Sequence, residues 1–326
     1  MFWSRKFVFL LLAALSVLCF CPELPAQAKN RIRYQWSAGR RYVYLYDVAA
    51  FYGMTVSKDG NRYVLSSKYS RLVFNINKRF GSINGTGVTY LFAPVLRRGL
   101  PFISEMDFTR VLDPVLRKSV LPRKRIKTIM IDPGHGGKDK GAPGPRGVWE
   151  KQIALSMAKQ LQTALRAKGY TVMMTRSTDR YPTLDDRVNM HARTRADLFI
   201  SIHCNASVVK SISGIETFAM TPVGAPSSSD TKASFVKGRG NNFDKQNYRL
   251  AYEIQRQLIA RTGANDRGVK HARFYVIKNV NCPAVLIETG FLSNYREGSS
   301  LLTAKRQKAT VDAIVAGILC YTAAVK

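Results

Sequence analysis

The sequence predicts an α/β fold: a mostly parallel sheet flanked by helices, preceded by a small β-rich N-terminal domain. Three observations carry this expectation. From Lys127 onward, continuous apolar runs of strand length alternate with stretches of helical apolar period. Before Pro122 the chain instead holds short apolar stretches separated by hairpin-type turns. Between the two, residues 115–126 are basic and contain Pro122, the composition of a connecting segment.

At the N-terminus, Arg5 and Lys6 precede an apolar run from Phe7 to Cys21, and Ala26-Gln27-Ala28 follows. A charged start, an apolar middle and a small-residue cleavage site read as a signal peptide over 1–28. The apolar run is shorter than the roughly 20 residues that span a bilayer, and no later segment reads as a span. Export to the periplasm, cell envelope or exterior is therefore expected.

Residues 29–120 read as a small β-rich accessory module. Strand-type stretches include 41–45, 63–65, 72–76 and 89–92, and Asp59-Gly60-Asn61 and Asn84-Gly85 punctuate them as hairpin turns. A linker is expected over 121–126 and a catalytic domain over 127–326. There, Thr128–Ile131 is a continuous apolar strand that ends at Asp132-Pro133-Gly134. Ile153, Met157, Leu161 and Leu165 form one helical stripe, closed by Gly169. Strands are expected at 172–175, 198–202, 215–220 and 284–287, with helices at 184–195, along Leu250, Ile254 and Leu258, and from Val311 to Ile318.

Beyond the leader only Cys204, Cys282 and Cys320 remain, an odd number without clustered spacing. That excludes a disulfide framework and a cysteine-based metal knuckle. The net charge is +30 and the isoelectric point about 10.3, which implies affinity for polyanions. The charge is dispersed: residues 29–122 carry 16 Lys/Arg against 5 Asp/Glu, and residues 123–326 carry 33 against 15. In an exported chain this favours anionic envelope polymers as partners and argues against nucleic acid.

Catalytic groups in such sheets gather beyond the carboxyl ends of the strands. His135 follows the first strand, His203 ends the third, Glu288 ends the last, and Glu150 opens the first helix. Two histidines with one carboxylate are the ligand type of hydrolytic zinc sites that keep an open fourth position. On its strand His203 faces opposite Cys204, so only one of them points at a shared metal; His203 is the candidate. His191 reads as a surface or packing residue, and His271 as a non-ligand.

These residues sit in runs that resemble the zinc-dependent N-acetylmuramoyl-L-alanine amidases. The runs are Ile131–Gly137, Gly147–Lys151, Ala196–Ala206, Gly214–Thr217, Asp266–Lys270 and Ile287–Asn294, in family order across 127–322. The resemblance implies one zinc ion per chain held by His135, Glu150 and His203, with Glu288 catalytic. It implies cleavage of the amide between N-acetylmuramic acid and L-alanine in peptidoglycan, for wall remodelling, daughter-cell separation or recycling. Glu288 would take the proton of the attacking water and return it to the departing amine. Asp132 and Asn205 are candidates for orienting the two histidines by hydrogen bonds. Residues 83–116 resemble the copper amine oxidase-like N-terminal module. Segment 221–243, rich in Ser, Gly and charge, shows no amphipathic helix, so no inhibitory helix and no obligatory activator are expected; the protein is also expected to be a monomer. A zinc peptidase acting within the stem peptide and a non-catalytic wall-binding protein are the competing readings.

Overall fold

The computed structural model describes residues 32–37 and 39–326, so the signal peptide expected over 1–28 lies outside the described residues. In chain order the first elements are β1 (Tyr34–Ser37), β2 (Arg40–Tyr44), α1 (Leu45–Phe51), β3 (Thr55–Asp59), β4 (Arg62–Ser66), β5 (Arg71–Asn75), β6 (Lys78–Ile83), β7 (Thr86–Thr89), β8 (Val95–Arg97) and β9 (Leu100–Ser104). Two short helices, α2 (Glu105–Asp107) and α3 (Asp113–Leu116), are joined by a π-helical turn over Phe108–Leu112. The turn between β6 and β7 is Asn84-Gly85 with φ of 49° and 82°, the doubly left-handed pair that a tight hairpin requires.

The second half contains β10 (Thr128–Pro133), α4 (Glu150–Arg166), β11 (Thr171–Met174), α5 (Leu184–Thr194), β12 (Leu198–Asn205), β13 (Ile215–Met220), α6 (Asp244–Thr262), β14 (Asp266–Ala272), α7 (Tyr275–Asn279), β15 (Ala284–Phe291), α8 (Tyr295–Leu301) and α9 (Ala304–Val325). Strands β1, β2, β9 and β8 form a small antiparallel sheet. The main sheet has eleven strands in the order β11-β10-β12-β15-β13-β14-β7-β6-β5-β4-β3.

This sheet is mixed, which corrects the expectation of a mostly parallel one. Strands β11, β10, β12 and β15 are mutually parallel, but β13 runs antiparallel to β15. The reason is the connection. Residues 206–214 between β12 and β13 contain no helix, and a parallel return needs a crossover of a dozen or more residues. β13 therefore starts at the end where β12 finished. Helix α6 then supplies a crossover, and β14 lies parallel to β13.

The β-rich N-terminal strands continue the same sheet. β7 pairs with the edge of β14 in parallel at Val88 and Val269, and Gly87 N donates to Asp266 Oδ2 at 2.6 Å. Gly268, at φ 81°, makes that approach possible, since a Cβ there would stand 2.7 Å from Gly87 O. From α6, Arg249 Nη1 donates to Pro114 O and Val115 O, and Tyr252 OH to Ile83 O. One apolar core runs from Val43 and Phe74 through Ile131, Ile254 and Ile314. Alternate residues of β10 face opposite ways: Ile129 and Ile131 enter this core, and Met130 enters a smaller one with Phe199, Ile277 and Leu286. Leu121 and Ile126 are buried as the chain passes into β10.

Helix α9 is long and apolar enough to cross a membrane by length and composition, against the expectation that no later segment is. Here Ile314 and Ile318 are buried in the main core. Gly317 lets α6 approach so closely that a Cβ would lie 2.6 Å from Ile254 Cα.

Candidate active site

Strand β10 delivers the chain to the carboxyl edge of the sheet, where Pro133 ends the ladder and a glycine turn begins. His135 stands in that turn at φ 59°, a left-handed conformation that non-glycine residues occupy only where the surroundings impose it. Gly136 and Asp139 exchange backbone hydrogen bonds of 2.8 and 3.0 Å and close the turn. His135 Nδ1 meets Asp139 Oδ2 at 2.8 Å, and its Nε2 lies 3.0 Å from Glu150 Oε2.

Glu150 is the first residue of α4, and Gln152 Oε1 accepts from Trp149 N at 2.8 Å at the same helix start. Its carboxylate is buried and fully engaged. Oε1 accepts from Cys204 N and lies 3.0 Å from His203 Nδ1, while Oε2 accepts from Ala142 N. Burial alone would push this carboxyl up. The hydrogen bonds and charges of His135 and His203 outweigh burial and hold it well below the usual carboxylate range. His135 is shifted the other way: burial would lower it, but Glu150 and then Asp139 raise it.

His203 lies at a bulge near the end of β12, directly across from Glu288 on β15. His135, Glu150 and His203 thus converge, each offering a ligand atom within 4.8 Å of the others, a cluster that could hold a metal ion. Glycines make the room. A Cβ on Gly134 would lie 2.3 Å from His203 Cε1, and one on Gly141 would lie 2.6 Å from Glu150 Oε2. A cleft of about 280 Å³ opens beside the histidines, lined also by Tyr181, Leu184, Phe274 and Tyr275.

Glu288 is half-buried, and its Oε2 is enclosed without a hydrogen-bond partner among the described residues. Its pKa is raised well above the ordinary carboxyl value, first by burial and then by the negative charges of Glu150 and Glu216, with Lys270 opposing. Glu216 on β13 is the cross-strand partner of Glu288. It is buried and accepts from Asn205 Nδ2, Arg267 Nε and Lys270 Nζ.

Asp132 and Asn205 make no hydrogen bond to either imidazole. Asp132 accepts from Thr175 Oγ1 (2.6 Å), Arg187 Nη1 (2.6 Å) and Ser201 Oγ (2.9 Å). Arg187 in turn donates to His135 O at 2.8 Å, so Asp132 reaches the turn through Arg187. Burial works against the Asp132 carboxylate, but Arg187 and Thr175 bring its pKa below the ordinary value. Asp132→Asn is expected to cost about 3–5 kcal/mol of stability, because it leaves the buried Arg187 guanidinium without its counter-charge. Urea unfolding of the full chain measures this, and a loss under about 1 kcal/mol would contradict it. The linkage has a definite sign. A depressed folded pKa adds stability above the unfolded value near 3.9, and that stability is lost as pH falls through the folded pKa.

Two histidines lie away from the cluster. His191 is buried, with Nε2 3.2 Å from Ala196 O, so it packs rather than facing solvent. His271 is buried and stacked on Tyr248 at 5.3 Å between ring centroids. Three contributors to the site have no role in the sequence reading. Asp139 has a signal, four residues past His135 beyond paired glycines. Glu216 lies inside a recognised run but looks like an ordinary strand residue. Arg187 shows only as one of many helix cations.

The sequence matches the family described as N-acetylmuramoyl-L-alanine amidase over residues 129–320. It is 40% identical over 195 residues to the N-acetylmuramoyl-L-alanine amidase LytC of Bacillus subtilis, covering 60% of this chain and 35% of that one. It is 32% identical over 225 residues to the N-acetylmuramoyl-L-alanine amidase AmiC of Escherichia coli O6:H1, covering 62% of this chain and 54% of that one. The chain thus spans about a third of LytC and about half of AmiC. The solved catalytic domain of CwlV, an N-acetylmuramoyl-L-alanine amidase from Bacillus (Paenibacillus) polymyxa var. colistinus, superposes with a TM-score of 0.52 at 31% identity, over 62% of this chain and 100% of that one. With more than half of its length inside the match, this chain belongs to the N-acetylmuramoyl-L-alanine amidase family.

Proposed function

We propose that the protein is an exported, zinc-dependent amidase that hydrolyses the bond between N-acetylmuramic acid and L-alanine in peptidoglycan. One observation carries this reading: His135, Glu150 and His203 converge to within 4.8 Å, with Glu288 in register beside His203. The donor set fits zinc. Two imidazoles and one carboxylate are hydrolytic zinc ligands, the His135 Nδ1–Asp139 contact directs Nε2 inward, and Glu150 is held as the anion. When bound, zinc supplies Lewis acidity, which makes hydroxide accessible near neutral pH and polarises an amide carbonyl.

The chain's own residues do the proton work. Glu288 accepts a proton from the attacking water and returns it to the departing nitrogen of L-alanine. Its raised pKa, caused first by burial, suits a carboxyl that must hold a proton during turnover. Glu216, held by Arg267 and Lys270, adds negative charge beside it that helps raise its pKa, with Lys270 opposing. Asp132 keeps Arg187 on the carbonyl of His135, and Asn205 donates a hydrogen bond to the Glu216 carboxylate.

Residues 1–28 serve as the export signal in this reading, 29–120 as the accessory module, 121–126 as the linker and 127–326 as the catalytic domain. The basic surface meets anionic envelope polymers, and the protein acts as a monomer. Segment 221–243 is a loop that ends in a short 3-10 helix at Arg239–Phe243, and this reading takes the enzyme to need no activator. The test is metal analysis with solubilisation of purified peptidoglycan by the mature chain alone. One zinc per chain, activity abolished by a chelator and restored by zinc is the expected result. Activity indifferent to chelator, or dependent on a second protein, would contradict it.

A further inference from the structure

The family match begins at residue 129, yet the cleft bordered by Glu216 and Lys270 is not built from that region alone. Moving across the sheet from β12, successive strands present His203, Glu288, Glu216 and Lys270. His203 pairs with Glu288, Glu288 pairs with Glu216, and Lys270 pairs with Phe218, two residues along from Glu216. The next strand is β7, whose last residue is Thr89. Here a second cleft of about 660 Å³ opens, with Phe218 and Lys270 among its lining and Ser227, Ser228, Lys232 and Thr89 around it. Phe274 lines both this cleft and the one beside the histidines.

The outer wall is the loop after β13, and it is held from two directions. Arg273 Nη2 donates to Ala225 O at 2.6 Å, and Arg273 Nη1 donates to Ser227 Oγ at 3.0 Å. From β6, Arg79 Nη1 donates to Ser227 O and Asp230 O, both at 3.0 Å, while its Nε donates to Tyr90 O at 2.8 Å. Ser228 completes the attachment by exchanging hydrogen bonds with the backbone of His271 on β14, each 2.8 Å. One guanidinium of the N-terminal segment thus holds three carbonyls, those of Pro226, Ser227 and Asp230, in a loop that borders the cleft.

The cleft has a definite relation to the reaction. A group that returns a proton to the leaving nitrogen must lie on the leaving-group side, so the peptide departs on the Glu288 side of the histidines. On that side of Glu288 lie β13 and β14, whose Glu216, Phe218 and Lys270 line the second cleft. Its hydroxyls suit peptide amides. The exposed Lys232 suits a carboxylate; Lys270 is already paired with Glu216, and Asp230 and Arg273 also line the cleft, whereas the first cleft is walled by Tyr181, Leu184, Phe274 and Tyr275. Resting on the amidase reading, we propose that the second cleft takes the acidic peptide of the substrate. Arg79, outside the family match, is a positioning residue that holds its wall.

The test compares two soluble substrates with the full chain: N-acetylmuramoyl-L-alanine and N-acetylmuramoyl-pentapeptide. Arg79→Ala is expected to raise KM for the pentapeptide substrate about tenfold, the equivalent of one charge-assisted hydrogen bond. Its kcat should stay within about twofold, and the single-residue substrate should be unaffected. Lys232→Glu, an exposed change on the rim that leaves the wall in place, should raise KM for the pentapeptide substrate in the same selective way. Equal losses on both substrates, or unchanged KM in both variants, would overturn the proposal. Failure of the unmodified chain to release peptide from either substrate would overturn the amidase reading, and this inference with it.

Discussion

Glu288→Gln is expected to slow peptidoglycan hydrolysis by about 10²–10⁴-fold, the range associated with losing a positioned general acid–base, while leaving one zinc bound per chain. The two readouts separate because Glu288 is not one of the three converging residues. It stands across from His203 on the neighbouring strand, and its Oε2 has no hydrogen-bond partner among the described residues. An amide of the same shape therefore breaks no hydrogen bond of Oε2. It also relieves the burial of a charge that Glu150 and Glu216 already disfavour, so the folded state should be at least as stable. Steady-state rates, metal content and thermal unfolding of the same preparation settle the point. A variant that keeps more than a tenth of the rate would remove Glu288 from the proposed role.

Gly134→Ala should be nearly as damaging although it alters no ligand. The added methyl would stand 2.3 Å from His203 Cε1 and 2.6 Å from both ring nitrogens. Neither side has a cheap escape. Gly134 N donates to Ile202 O at 3.0 Å, and Gly134 O accepts from the buried Arg176 at 2.8 Å. The imidazole must swing away, and it then loses its place against Glu150. Displacing the surroundings of a ligand costs on the order of 10–100-fold in metal affinity, and zinc titration of the metal-free chain reads it. Unchanged affinity would mean that the glycine turn does not set the position of His203.

The chemistry was more legible in the sequence than the architecture. His135, His203 and Glu288 follow apolar strands, and in a sheet of this kind the residues just past such runs share one edge. Glu150 follows a turn and opens a striped helix, so its place was readable too. Asp139, Glu216 and Arg187 were not, because each acts through a partner brought in by folding: the His135 ring, the antiparallel neighbour of Glu288, and the carboxylate of Asp132. The mixed sheet had a signal that the alternation of strands and helices overrode, namely the nine helix-free residues between β12 and β13. The seam between β7 and β14 had almost none. Gly87 and Gly268 are far apart in the chain, and nothing local marks them as the point where two backbones meet.

The most direct test of the central claim is mass spectrometry of the products released from purified peptidoglycan, with and without chelator. The proposed chemistry predicts stem peptides that begin with a free L-alanine amino group, and glycan strands ending in unsubstituted muramic acid lactyl carboxylates, both lost on chelation. Products cut within the stem peptide, or the same products undiminished by the chelator, would contradict it.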